Sequence, residues 1–245
     1  MVGLVRAPIA DQALSAAMHS LAIARTRIHT FNVAVPYLSP HFDCALRNEL
    51  MDFSALKVLK VRPGHVEDPG EQPVSASAFD SRIAEACKHI LARSASTVET
   101  FECRGCEVFV WTMPSLGLSN LRTLTLGPSD VSASVLVSWI TSSDKLERLT
   151  LDDVDLLGVS GQEWKEVFDC IRGHRNAIEV HFSPLYVFDE EIYFAAFRTK
   201  TPHKGPDAFA FKNDPDASEN VKKALPLYMN GQLEWIDCLP QTFDA

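Results

Sequence analysis

The chain has 245 residues, 46% of them hydrophobic, which is enough to bury a core in one or two domains. Its net charge of −9 at pH 7 makes a surface that repels phosphates, which argues against nucleic acid as a partner. No run approaches the ~18 apolar residues of a bilayer span, and no secretory signal, N-x-[ST] sequon or disulfide-dense pattern is present among six cysteines; the expected setting is reducing, in cytoplasm or nucleus, with no membrane partner.

Residues 1–10 read as a loose leader. Asp11 can cap a helix with a stripe of Leu14, Ala17, Met18 and Leu21, and Arg25 and Arg27 at its C-terminal end suit the helix dipole. A first strand is expected over Arg27–Val33, ended by Pro36. A helix follows from His41 to Met51, with Phe42, Leu46 and Leu50 on one face. A second strand over Leu56–Val61 stops at Pro63-Gly64. Glu67 to Ala78, with Pro69-Gly70, Pro73 and small residues, reads as an inserted loop. Asp80 then caps a helix that turns Ile83, Ala84, Cys87, Ile90 and Leu91 inward. Strand three is Val98–Cys103. Val108–Met113 is apolar without helical period, an extra strand or a buried crossover.

The clearest pattern in the chain lies between Leu121 and Leu151. Leu121-Arg-Thr-Leu-Thr-Leu and Leu146-Glu-Arg-Leu-Thr-Leu share the pattern L-x-x-L-x-L, 25 residues apart (146 − 121), inside the ~20–29 residue period of leucine-rich repeats. Leu124 and Leu126 are two apart, so both face one side of a strand. Thr123, Thr125 and Gly127 face the other, and Pro128-Ser129 ends it. Val135, Leu136, Trp139 and Ile140 make one helical stripe before Asp144-Lys145 and the next repeat. Weaker copies begin at Ile28, Leu56, Val98 and Ala177. The series 28, 56, 98, 121, 146, 177 gives spacings of 28, 42, 23, 25 and 31 by subtraction. A single such unit cannot bury its own apolar face, so units must stack.

After the fifth strand, Ser160 and Glu163 have capping-box spacing. Trp164, Val167, Phe168 and Ile171 form the stripe of a helix that Gly173 should end. Asp189 to Phe197 suggests another helix, Thr199 to Pro215 a linker, and Ser218 to Met229 a helix broken by Pro226. Trp235 and Leu239 are expected to tack the tail back. The expected architecture is α/β: a leucine-rich-repeat solenoid of about six irregular repeats over residues 1–198. Its arc has a parallel sheet on the concave face and helices on the convex face. A linker and capping segment fill 199–245.

Chemistry-bearing motifs are sparse. Cys103-Arg-Gly-Cys106 could be a redox pair or half a metal site, but no second pair exists. In repeat register both cysteines are small buried hydrophobes. His174 and His181 could pair on a metal only after folding and with carboxylate help, and an exposed histidine near a helix C-terminus is the commoner arrangement. Asp152, Asp153 and Asp155 could hold a cation, yet lack the order of an EF-hand loop and suit a solvated turn. No G-x-S-x-G, P-loop, G-x-G-x-x-G or H-E-x-x-H occurs. No catalytic residue, metal or cofactor is expected. The competing reading is an enzyme or redox protein that uses Cys103 and Cys106, or His181 with nearby carboxylates.

The outward strand positions are Thr30 and Asn32; Val58, Lys60 and Arg62; Thr100, Glu102 and Arg104; Thr123 and Thr125; Arg148, Thr150 and Asp152; Glu179, His181 and Ser183. This polar row of both charge signs suits recognition of a protein surface more than a greasy pocket. Its expected partner-binding members are Asn32, Lys60, Arg62, Glu102, Arg104, Thr123, Thr125, Arg148, Thr150, Asp152, Glu179 and His181.

Leu121-Arg-Thr-Leu-Thr-Leu, Leu146-Glu-Arg-Leu-Thr-Leu-Asp-Asp-Val-Asp-Leu-Leu, Trp164-Lys-Glu-Val-Phe and the tail Val221-Lys-Lys-Ala-Leu-Pro-Leu-Tyr followed by Trp235 resemble the leucine-rich C-terminal half of F-box proteins from filamentous fungi. The resemblance implies repeats that hold a substrate for a cullin-type ubiquitin ligase, recruited through a Skp-type adaptor. Residues 1–50 carry no Leu-Pro-x-Glu opening of an F-box, so a repeat-only relative is the other form of this expectation.

Overall fold

A computed structural model describes residues 16–35, 51–63, 87–104, 116–157, 162–176, 178–182, 185–187, 190–191 and 225–234. They form an α/β structure around a six-stranded, wholly parallel sheet. Its strands are β1 (Thr30–Val35), β2 (Val58–Pro63), β3 (Thr100–Cys103), β4 (Thr123–Leu126), β6 (Arg148–Leu151) and β8 (Glu179–Phe182), side by side in chain order. Five helices are described: α1 (16–23), α2 (87–94), α3 (Ala133–Ser142), α4 (Gln162–Arg172) and a short α5 (225–229).

The register is constant across the sheet. Phe31, Leu59, Phe101, Leu124, Leu149 and Val180 stand opposite one another, as do Val33, Val61, Cys103, Leu126, Leu151 and Phe182. Of these twelve side chains, nine are buried and Val33, Val180 and Phe182 pack half-buried against the same core. The steps between Thr30, Val58, Thr100, Thr123, Arg148 and Glu179 are those read from the sequence, 28, 42, 23, 25 and 31 by subtraction. One bond recurs at each step. Val58, Thr100, Thr123, Arg148 and Glu179 each donate their amide to the carbonyl of, in turn, His29, Lys57, Glu99, Arg122 and Glu147 at 2.8–3.2 Å. The same step therefore repeats although the loops between steps differ in length.

Helices cover the apolar rows. Val135, Leu136, Trp139 and Ile140 of α3 and Trp164, Val167, Phe168 and Ile171 of α4 are all buried. Trp139 meets Phe101 edge-on at 5.7 Å, and Phe168 meets Phe182 at 5.4 Å, a geometry that the ring quadrupoles favour. On α2, Cys87, Ile90 and Leu91 face inward as expected. On α1 the buried residues are Met18 and Ala22, four apart, whereas Ala17 and Leu21 are exposed. The stripe is thus rotated from the expected one, because a helix buries i and i+4 over the turn that meets the sheet.

A second sheet differs from expectation. Ser129–Ser132 (β5), Val154–Leu157 (β7) and Leu185–Val187 (β9) pair in parallel, with Glu190–Glu191 (β10) antiparallel on β9. Pro128-Ser129 ends β4 but does not end extended structure. Asp153, with φ of 56°, turns the chain between β6 and β7, a conformation that Asp tolerates. Asp155 lies within β7 and not in a solvated turn. The expected helix from Asp189 begins instead with β10. Backbone pairing onto β9 overrides the helix preference of glutamate. Val131, Val154, Leu156 and Leu185 bury this sheet into the same core.

Gly173 does not close α4 in a left-handed turn. Its amide still donates to Asp169 at 2.9 Å as in a helix. Gly231 has that role after α5, at φ 69°, with its amide on Tyr228 and that of Gln232 on Leu227, the paired bonds of a Schellman cap. Residues 225–234 pack back through Leu225, Tyr228, Met229 and Leu233. Tyr228 donates its hydroxyl to Asp169, and Arg172 lies over its ring at 4.9 Å. The expectations for 1–15, 36–50, the loop from Glu67, Val108–Met113, Cys106, Ser160, Ser183, the 199–215 linker, Trp235 and Leu239 lie outside the described residues.

Candidate functional site: the outward face of the parallel sheet

The alternation that buries two rows turns two others to the opposite side. One row runs Thr30, Val58, Thr100, Thr123, Arg148, Glu179. The next runs Asn32, Lys60, Glu102, Thr125, Thr150, His181. Every described residue expected to line the outward face falls in these rows or at the strand ends beyond them, where Arg62, Arg104, Gly127 and Asp152 follow. Side chains in one row stand about 4.8 Å apart from strand to strand, so the face is a fixed grid of functional groups.

Two charged clusters occupy it. In the first, the Glu102 carboxylate is nearly covered, at 9% exposure. Oε2 accepts from Lys60 Nζ at 3.1 Å; Oε1 accepts from Arg62 at 2.8 and 3.1 Å and from Arg104 Nε at 2.9 Å. Burial raises the pKa of the Glu102 carboxyl, but the bonds and charges of Lys60 and Arg62 outweigh it and hold the group below the usual glutamate value. Asp152 stands 3.8 Å from Arg104 on the far rim.

Gly127 makes room for this cluster. A Cβ there would lie 2.7 Å from Arg104 Cα and 3.0 Å from its Cβ, closer than non-bonded carbons pack. Lacking a side chain, Gly127 lets Arg104 lie between Glu102 and Asp152. The glycine was legible as an outward position, but its steric role required the register.

In the second cluster Glu179 accepts from Arg148 Nε at 3.0 Å and lies 3.0 Å from His181 Nε2. The His181 bond and then the Arg148 bond hold the Glu179 carboxyl below its usual range. All three side chains are more than half exposed. Between the clusters lie Thr123, Thr125 and Thr150; Thr125 is buried beneath its neighbours, and Asn32 sits at the β1 edge. The face is therefore uneven, with charged ends and a threonine floor. A ladder of alternating charge also runs along the positions just before the strands. Lys57 pairs with Glu99 at 2.9 Å, and Arg122 pairs with Glu147. These residues were not singled out in the sequence, although equal offset from each strand start identifies them.

The other candidate groups separate. Cys103 is buried in the apolar row between Val61 and Leu126. Burial, then the nearby Cys103, pushes the Cys87 thiol well up, away from the thiolate a nucleophile needs. His174 is half-buried: Nε2 donates to the Ser143 carbonyl at 2.8 Å, tying the end of α4 to the loop after α3. Among the described residues no three His, Cys, Asp or Glu side chains are grouped to hold a metal ion, and no helix is long and apolar enough to cross a membrane. Comparison of the chain with protein-family models, curated proteins and solved structures finds no match.

Proposed function

We propose that the protein is a non-catalytic, leucine-rich-repeat solenoid that binds a protein partner on the outward face of its six-stranded sheet. The observation that carries this reading is the pairing of six parallel strands in chain order and constant register. Such stacking of L-x-x-L-x-L units presents one polar residue per strand at fixed spacing, a surface suited to multipoint recognition. The ordered ion clusters add to this. Their side chains are already held, so docking costs less conformational entropy.

The partner is a substrate of a cullin-type ubiquitin ligase if the chain works as the fungal F-box-type proteins it resembles, in cytoplasm or nucleus. Affinity capture of the tagged full chain from its own host, read by mass spectrometry, tests this. Recovery of a Skp-type adaptor with a cullin supports a substrate receptor. Recovery of other proteins without those subunits refutes the ligase role and makes the chain a repeat scaffold. Thiol labelling of the native chain with elemental analysis tests the enzyme alternative, which requires a fast-reacting Cys103 or Cys106 or a bound metal.

A further inference from the structure

The outward face is polarised. Its β2–β4 half sets Lys60, Arg62 and Arg104 against the one carboxylate of Glu102, three positive charges less one negative, or +2. Asp152 at the rim brings this to +1. The β6–β8 half sets Arg148 against Glu179, one against one, with His181 beside them. The whole chain carries −9, so the basic half runs against the sign of the molecule.

We propose that this basic half docks an acidic segment of the partner protein, whose carboxylates meet Lys60, Arg62 and Arg104. The inference rests on the sheet face being a partner surface and adds the partner's chemistry. Glu102 lies beneath its cations: its side chain is 9% exposed, theirs 31%, 50% and 43%. An approaching partner meets positive heads over a hidden anion. The Lys60 ammonium and the Arg62 guanidinium alone carry more N–H donors than the bonds they give to Glu102. Further acceptors are thus accommodated without breaking the cluster. Glu102 also fixes the cations in place before binding, which lowers the entropy lost on docking. Thr100 and Thr123 beside them are short and uncharged. A polynucleotide fits less well. Its evenly spaced phosphates would run from this patch onto Asp152, Glu179 and an acidic chain.

The test uses the full chain and a short fluorescein-labelled glutamate-rich peptide, read by fluorescence anisotropy. Glutamine and lysine versions of the peptide and a single-stranded oligonucleotide of matched charge are controls. The glutamate peptide should bind, the other two peptides should not, and raising salt should weaken it because exposed charges are screened. The double change Lys60→Gln with Arg62→Gln should weaken binding about tenfold. Lys165→Gln removes the same kind of charge on α4, away from the sheet face, and should change it less than about twofold. Equal binding of the glutamine peptide, tighter binding of the oligonucleotide, or no loss in the double variant overturns the proposal. Should the double variant not fold, peptide ranking and salt dependence in the wild type decide it. A chain that captures a protein partner, loses it on Thr150→Arg and yet ignores the glutamate peptide refutes the acidic chemistry alone. If Thr150→Arg leaves capture intact and the peptide does not bind, both readings fail.

Discussion

Replacing Leu124 with alanine separates the buried rows from the outward ones most sharply. Leu124 is 0% exposed, and its row neighbours Phe101 and Leu149 are also at 0%. The change removes three carbons, worth about 2.4 kcal/mol at ~0.8 kcal/mol each. Parallel strands on both sides hold the backbone apart, so the hole cannot close. The cavity then raises the cost to about 3–4 kcal/mol, within the range for buried leucines. Urea unfolding followed by far-ultraviolet circular dichroism should show the midpoint falling by about 1–2 M, for a slope of about 2–3 kcal/mol per M. Arg148→Ala is the comparison. Its side chain is 55% exposed and its partner Glu179 54%, so stability should stay within about 0.5 kcal/mol of wild type while partner binding weakens. A Leu124→Ala cost below about 1 kcal/mol, or equal costs for the two variants, would refute the assignment of rows to core and surface.

Three further outcomes are expected. The Glu102 carboxyl is held below its usual pKa, so its stabilisation is complete above the unfolded value of about 4.3 and is lost as pH falls through the folded value. Melting temperatures between weakly acidic and strongly acidic buffer should therefore drop less steeply for Glu102→Gln than for wild type; parallel curves would exclude the cluster as the source. Gly127→Ala should destabilise by about 1–3 kcal/mol through the clash with Arg104, measured by urea titration, whereas a glycine without that clash would gain stability on the same change. Tyr228→Phe removes the hydroxyl bond to Asp169 and should cost about 1 kcal/mol. Limited proteolysis should then cut the 225–234 segment faster; an unchanged cleavage rate would show that the bond does not anchor it.

Strands β4 and β6 were legible because two copies of L-x-x-L-x-L fix both strand and face, and period-two alternation carries the outward residues with it. Constant register then placed the weak copies at Ile28, Leu56 and Val98, even across a gap of 42 residues (98 − 56). The helices α3 and α4 were legible from stripes that are apolar on one side only. What escaped is long-range. β5 (Ser-Asp-Val-Ser), β7 (Val-Asp-Leu-Leu) and β9 (Leu-Tyr-Val) are as short as β4 and β6 but share no apolar pattern with one another, and they exist because segments that each follow a strand of the first sheet pair side by side. The alternating ladder of Lys57, Glu99, Arg122 and Glu147 depends on the same stacking. The burial of Glu102 and Thr125 was also hidden, since alternation assigns a side but not the neighbours that cover it. On α1 a short apolar pattern left the buried face one residue out of place.

The central claim is that the outward sheet face binds a protein. Its most direct test is quantitative affinity capture with three forms of the full chain side by side: wild type, Thr150→Arg on the threonine floor, and Lys165→Ala on α4, away from the sheet face. A partner recovered equally by wild type and Lys165→Ala, and lost or reduced about tenfold or more by Thr150→Arg, is the predicted result. Equal recovery by all three forms, with unchanged melting temperatures, would contradict it.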